Sequence, residues 1–140
     1  MPQVVPQVVV AIAVVVGAVG LGLILRRRQH VAVPTQPSRA IPVQLDRADF
    51  APGTPWLVAV FSSATCDTCA DVARKAAVLE SPSVGVVDIE YAAHRALHKK
   101  YDIQAVPIVV IADSEGVVRA GFAGPVTAED LWGALADVRE

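Results

Sequence analysis

The spacing of apolar and polar positions divides the chain into three stretches. The first, Val8–Leu25, runs for eighteen residues without a charge. As a helix it covers about 27 Å, close to the thickness of a bilayer's hydrocarbon core. Val4 and Val5 lengthen it, and Pro6 is tolerated in a first turn, so a membrane-spanning helix is expected over residues 4–25. Residues 26–42 open on Arg26-Arg27-Arg28 and carry Pro34, Pro37 and Pro42 among Thr, Gln and Ser. They read as a basic, then proline-rich linker. Residues 43–140 mix short apolar runs with helix-period stripes, the pattern of an α/β domain.

Within that domain Val43-Gln44-Leu45 predicts a short first strand, and Asp46 is placed to cap one helical turn over residues 47–50. Residues 51–55 form a loop. Trp56–Phe61 is a continuous apolar run, as in a strand buried on both faces. Beyond Cys66, residues Cys69, Val72, Ala73, Ala76 and Leu79 keep the spacing of a core-facing helix. Val84–Ile89 predicts a second buried strand, and Tyr91–Tyr101 a helix with Ala93, Leu97 and Tyr101 inward. Val106–Ala112 is a third long strand, opened by a proline. Asp113–Gly116 is a hairpin turn into Val117–Phe122, with Gly121 and Gly124 allowing close backbone approach or a bulge. Thr127-Ala128-Glu129-Asp130 starts a last helix that turns Leu131, Leu135 and Val138 inward.

Charge sharpens the division. All fourteen acidic residues lie beyond Ile41, and four of the twelve basic residues lie before it, which leaves the domain at 8 − 14 = −6. A domain of that sign is a poor fit for nucleic acid, which needs a basic face. The arginines follow the apolar run and none precedes it. That disfavours a cleaved signal peptide and, by the positive-inside rule, places the domain on the cytoplasmic side of a single-pass anchor. The lipid bilayer is thus one expected partner.

The candidate chemistry is Cys66-Asp67-Thr68-Cys69, which holds both cysteines of the chain. With none left over for a disulfide framework, the pair reads as a redox or metal site. Strand, tight turn, Cys-x-x-Cys and helix is an arrangement suited to thiol–disulfide exchange. A helix start next to Cys66 would favour its thiolate, the nucleophilic form, and Cys69 one turn on can close a disulfide. Cys66 is therefore the expected attacking sulfur and Cys69 the resolving one. Asp67 opposes the dipole. A like charge about 4 Å away costs around 1 kcal/mol in water, against about 0.3–1 kcal/mol from the helix end. The expectation is a thiol near the ordinary range, and so a reductase rather than a strong oxidant.

The order of elements, together with Cys66-Asp67-Thr68-Cys69 and Val106-Pro107, resembles the thioredoxin family over Ile41–Glu140. The resemblance implies a three-layer fold, a central mixed sheet flanked by helices. It implies a cis Pro107 packed on the cysteine pair, with Val106 offering its backbone to an extended client strand and Thr65 beside it. It also implies client proteins bearing disulfides, an external thiol or disulfide electron donor, and no cofactor. Thr65, Asp67 and Thr68 stand where the family usually has Trp, Gly and Pro, so Asp67 and Thr68 are expected to tune the pair. The family's buried acid and its partner lysine align with Val60 and Val86, which leaves the resolving cysteine without a nearby base.

Two other readings compete. Cys66, Cys69, His94 and His98 have a zinc-like order, but twenty-four residues separate Cys69 from His94, against the usual 12–15 or so. His94 and His98 read instead as a solvated pair on a polar helix flank, and no metal is expected. The other reading is a redox-inactive docking module that keeps the fold and leaves its cysteines idle.

Overall fold

The computed structural model describes residues 4–29, 41–50 and 53–140. The chain divides into two units, Met1–Pro37 and Ser38–Glu140. In the first unit α1 (Val4–Gln29) is one helix of 26 residues. Its described side chains, residues 7–9 and 12–21, are almost all exposed, including the consecutive Val14, Val15 and Val16. Among the described residues no helix is long and apolar enough to cross a membrane. Most of the expected linker, residues 30–40, lies outside the described residues, as do the first two residues of the expected loop, 51–52.

The second unit is built around β1 (Trp56–Ser62), in which every residue after Trp56 is buried. On one side β1 pairs in parallel with β2 (Val84–Glu90), Val60 standing opposite Asp88. On the other it pairs antiparallel with β3 (Ile108–Ala112), Phe61 opposite Ile108. An antiparallel β4 (Val118–Ala123) completes a mixed sheet of order β2-β1-β3-β4.

Alternation along β1 sends Val58 and Val60 to one face. There they meet Val72 and Ala76 of α2 (Cys69–Ala77), and Leu131 and Leu135 of α4 (Ala128–Val138). Leu57, Ala59 and Phe61 point to the other face, against Leu45, Phe50 and the partly buried Leu97 and Tyr101. Leu97 belongs to α3 (Arg95–Lys100). Both faces of the central strand are therefore covered, as its unbroken apolar run requires. Each fully buried Val, Leu or Phe side chain there contributes about 1.5–3 kcal/mol.

Several expectations need correction. The first strand reduces to a single bridge, Gln44 with Val117, because Pro42 has no N–H to offer and Asp46 already caps the 3-10 turn Arg47–Asp49. The helix expected from Tyr91 begins at Arg95. Glu90 takes the preceding turn for itself, its carboxylate accepting from the Ala93 N–H at 2.9 Å and its carbonyl from the His94 N–H at 2.9 Å. Ala93 is consequently exposed and His98, not Ala93, faces inward. His98 is 3% exposed rather than solvated. Its ring stands edge-on to Phe61 and Tyr91, and Nε2–H donates to the Ile89 carbonyl at 2.8 Å, which satisfies the buried imidazole.

Candidate active site

β1 delivers the chain to the site. After Ser62 it folds through a turn closed by Cys66 N–H to the Ser63 carbonyl, 3.1 Å, then a second closed by Cys69 N–H to the Cys66 carbonyl, 3.2 Å. The two sulfurs are joined as a disulfide, with the Cα atoms 5.4 Å apart. Cys66 is half-buried and Cys69 only 2% exposed. This asymmetry suits an outer sulfur that meets a partner and an inner one that does not.

The helix itself starts at Cys69, with Thr68 at the cap position, so the dipole expected beside Cys66 also needs correction. The end of α2 sits one turn further on, and its influence fades within about a turn. The Thr68 hydroxyl lies 3.6 Å from the Cys66 sulfur. Since a disulfide sulfur has no proton, the hydroxyl is the donor. Asp67 and Thr65 are exposed, the Thr65 hydroxyl being 3.1 Å from that of Ser63.

Opposite the cysteine loop, the Val106–Pro107 peptide is cis. Pro107 immediately precedes Ile108, which the β1–β3 register sets opposite Phe61. Pro107 is buried, and its carbonyl accepts from the Gly124 N–H at 2.8 Å. Val106 is half-buried. Among the described residues no hydrogen bond engages its N–H or C=O. It borders a hollow of about 170 Å³ that Ser63, Tyr91, His98 and Gln104 help to line.

The sequence reading missed the acids. A cleft of about 160 Å³ opens beside the disulfide, lined by Ser62, Cys66, Cys69 and Ala70 and by two carboxylates of β2, Asp88 and Glu90. Asp88 accepts a hydrogen bond from the buried Ser62 hydroxyl. Glu90 accepts from the Ala64 N–H of the cysteine loop at 3.2 Å. The backbone amides of Ala92, Ala93 and Ala64 hold the Glu90 carboxyl below its usual range. Asp88, an exposed acid, thus shares the cleft with Cys69. The residue opposite Val60 is Asp88, not Val86. Two signals in the sequence pointed to it: an acid inside an apolar strand, and a period of two that puts it on the face of Val84 and Val86.

Among the described residues no three of His, Cys, Asp and Glu come together as metal ligands.

Thioredoxins and a thioredoxin-fold protein are among the solved structures to which the chain is similar. A thioredoxin variant from Halobacterium salinarum superposes with a TM-score of 0.58 at 20% identity, covering 70% of this chain and 88% of that one. Thioredoxin O2 from Arabidopsis thaliana, in its oxidized state, gives 0.54 at 21%, covering 63% and 78%. A thioredoxin-fold protein from Helicobacter pylori gives 0.55 at 13%, covering 69% and 76%. No protein-family model and no curated protein matches the sequence. The chain is a thioredoxin-fold protein. Its Cys-x-x-Cys pair is closed as a disulfide just beyond the carboxyl end of the central strand.

Proposed function

We propose that the chain is a membrane-tethered reductase of client-protein disulfides. Cys66 attacks the client disulfide, Cys69 resolves the mixed disulfide, and an external thiol donor resets the pair. The observation that carries this reading is the half-exposed Cys66 bonded to a buried Cys69. The unengaged backbone of Val106 supports it, being free to pair with an extended client strand beside the sulfurs.

The direction of electron flow follows from charge. Asp67 flanks Cys66, and Asp88 and Glu90 line the cleft behind it, while the helix end has receded to Cys69. Negative charge disfavours the thiolate form, which makes the dithiol the better electron donor. A reduction potential near −270 mV or so is expected, and one near about −120 mV would overturn the reductase assignment. Trapping separates it from an idle docking module. Cys69→Ser, expressed in the full chain, is expected to accumulate mixed disulfides through Cys66 that a reductant releases. A variant that captures nothing, although Cys66 alkylates readily, favours docking.

The tether rests on the uncharged run Val8–Leu25 and on the helical course of Val4–Gln29, exposed apolar along its described side chains. Arg26, Arg27 and Arg28 put the domain on the cytoplasmic side under the positive-inside rule.

A further inference from the structure

Beyond Val106 the surface stays open. The hollow beside Val106 shares Ser63 with the disulfide cleft. On its other side it shares Tyr91, His98, Ile103 and Gln104 with a second hollow of about 350 Å³, which Arg95 and Lys99 border. Together they make a trough that runs from the sulfurs, past the unengaged backbone of Val106, to α3.

The walls of the trough are held in place. The Tyr91 N–H donates to the Ser62 carbonyl at 2.9 Å, which ties Tyr91 to the end of β1. The buried His98 ring is fixed by the Ile89 carbonyl and stands edge-on to Tyr91. The Arg95 guanidinium lies over the Tyr91 ring, 5.6 Å from its centre. Such a contact orients the cation without neutralising it. Lys99 follows one turn on, on the same side of α3.

Charge sets this corner apart. Of the domain's eight basic side chains, 8 − 2 = 6 are hydrogen-bonded to a carboxylate, a carbonyl or a hydroxyl. The other two are Arg95 and Lys99. Among the described residues neither has such a partner, and both border the same hollow. Asp102, which also borders it, accepts from the Gln104 side-chain amide. In a domain of formal charge 8 − 14 = −6, two uncommitted cations at the end of a trough from the disulfide reverse the local sign. The group they complement is a carboxylate.

We propose that this trough is a client-binding subsite selective for an acidic residue, with Arg95 and Lys99 as its specificity-determining side chains. The inference rests on the thiol–disulfide reading above and adds the class of client. A client strand laid along Val106 sends alternate side chains to the same face, rising about 3.3 Å per residue. With the client cysteine at Cys66, the side chain two places away continues along the trough. A glutamate or aspartate there meets the two cations, and a lysine is repelled.

Peptides with one cysteine, activated as its thiopyridyl disulfide, test this with the reduced full chain. The Cys66 thiolate attacks the peptide sulfur and the bond to the pyridyl sulfur breaks. Thiopyridone leaves with the electron pair, takes a proton from water and is read by its absorbance. Glutamate, glutamine, lysine or leucine is placed two positions before or after the cysteine. At one of these positions glutamate should react about three- to tenfold faster than glutamine, and lysine more slowly. The advantage should shrink at about 1 M salt, where charges are screened beyond about 3 Å. Arg95→Gln with Lys99→Gln should abolish the preference. Arg95→Glu with Lys99→Glu should turn it towards lysine, a gain that a misfolded variant could not show. Equal rates for glutamate and glutamine at both positions overturn the subsite. So does a faster leucine peptide, or a preference that survives the double glutamine variant. An equal advantage for a glutamate far from the cysteine also overturns it, being general attraction. A wild-type chain that releases no thiopyridone from any peptide overturns the oxidoreductase reading instead, which keeps the two failures apart.

Discussion

Glu90 is the residue on which the shape of the cysteine loop most directly depends. One carboxylate oxygen holds the Ala64 amide and the other the Ala93 amide, so a single side chain ties the cysteine loop to the turn before α3. Its carboxyl sits below 4.5 because the Ala92, Ala93 and Ala64 amides stabilise the charged form. The folded state therefore binds this proton more weakly than the unfolded chain. The stabilisation is fully present above about pH 4.5 and is lost as pH falls through the lowered folded value. Asp49, Asp71 and Asp113 are lowered as well, so the acid limb of stability is shared. Glu90→Gln isolates one part of it. Urea midpoints followed between about pH 3 and pH 6 should fall less steeply in the variant than in the wild type. Parallel curves would remove Glu90 from the account. At this scale the cysteine pair was legible from spacing alone. Asp88 stood out as an acid in an apolar strand, but its place opposite Val60 was not legible, because it depends on how two strands align. Nor was the burial of His98, whose chain neighbours Lys99 and Lys100 are exposed while its ring meets Phe61 from another strand.

Among the elements, the β3–β4 hairpin is closely held at its turn. Asp113 accepts from the Glu115 and Val117 amides at 3.0 Å each and pairs with Arg119, so the turn was predictable from its Asp and Gly. What the sequence could not reveal is the tightness of Gly116. It has φ +82°, and a Cβ there would lie 2.0 Å from the Leu45 carbonyl oxygen, whose own amide donates to the Gly116 carbonyl at 2.8 Å. Gly124 also has a positive φ, +92°, but open space where its Cβ would fall. The pair makes a controlled comparison. Gly124→Ala meets backbone strain alone and should cost about 1 kcal/mol. Gly116→Ala must also push away the Leu45 segment, and should cost upwards of about 2 kcal/mol. Denaturant midpoints of the two variants check the order, and equal losses would mean that the Leu45 segment yields easily. Long apolar strands and the capped α4 could be placed from pattern because their signals are local. The short α3 could not, since its start is set by Glu90 capturing the turn before it.

For the whole molecule the question is which compartment the sulfurs face, because the compartment sets whether a Cys-x-x-Cys pair meets oxidised or reduced partners. The domain's formal charge of 8 − 14 = −6 and the arginines that precede it have opposite signs. Anionic headgroups would hold the arginines and repel the domain, so the proposed tether and the acidic surface would act in the same direction. Extraction and labelling test this together. The full chain should resist alkaline extraction from membranes, and a chain lacking residues 1–29 should be released by it. In intact cells, reduced Cys66 should escape a membrane-impermeant maleimide and react only after permeabilisation. Replacing Arg26, Arg27 and Arg28 with glutamine removes the retention signal and should raise labelling in intact cells several-fold. Labelling of the wild type before permeabilisation would place the domain outside. There the same dithiol, bathed in oxidised partners, would depend on electrons delivered across the membrane to act as a reductase at all.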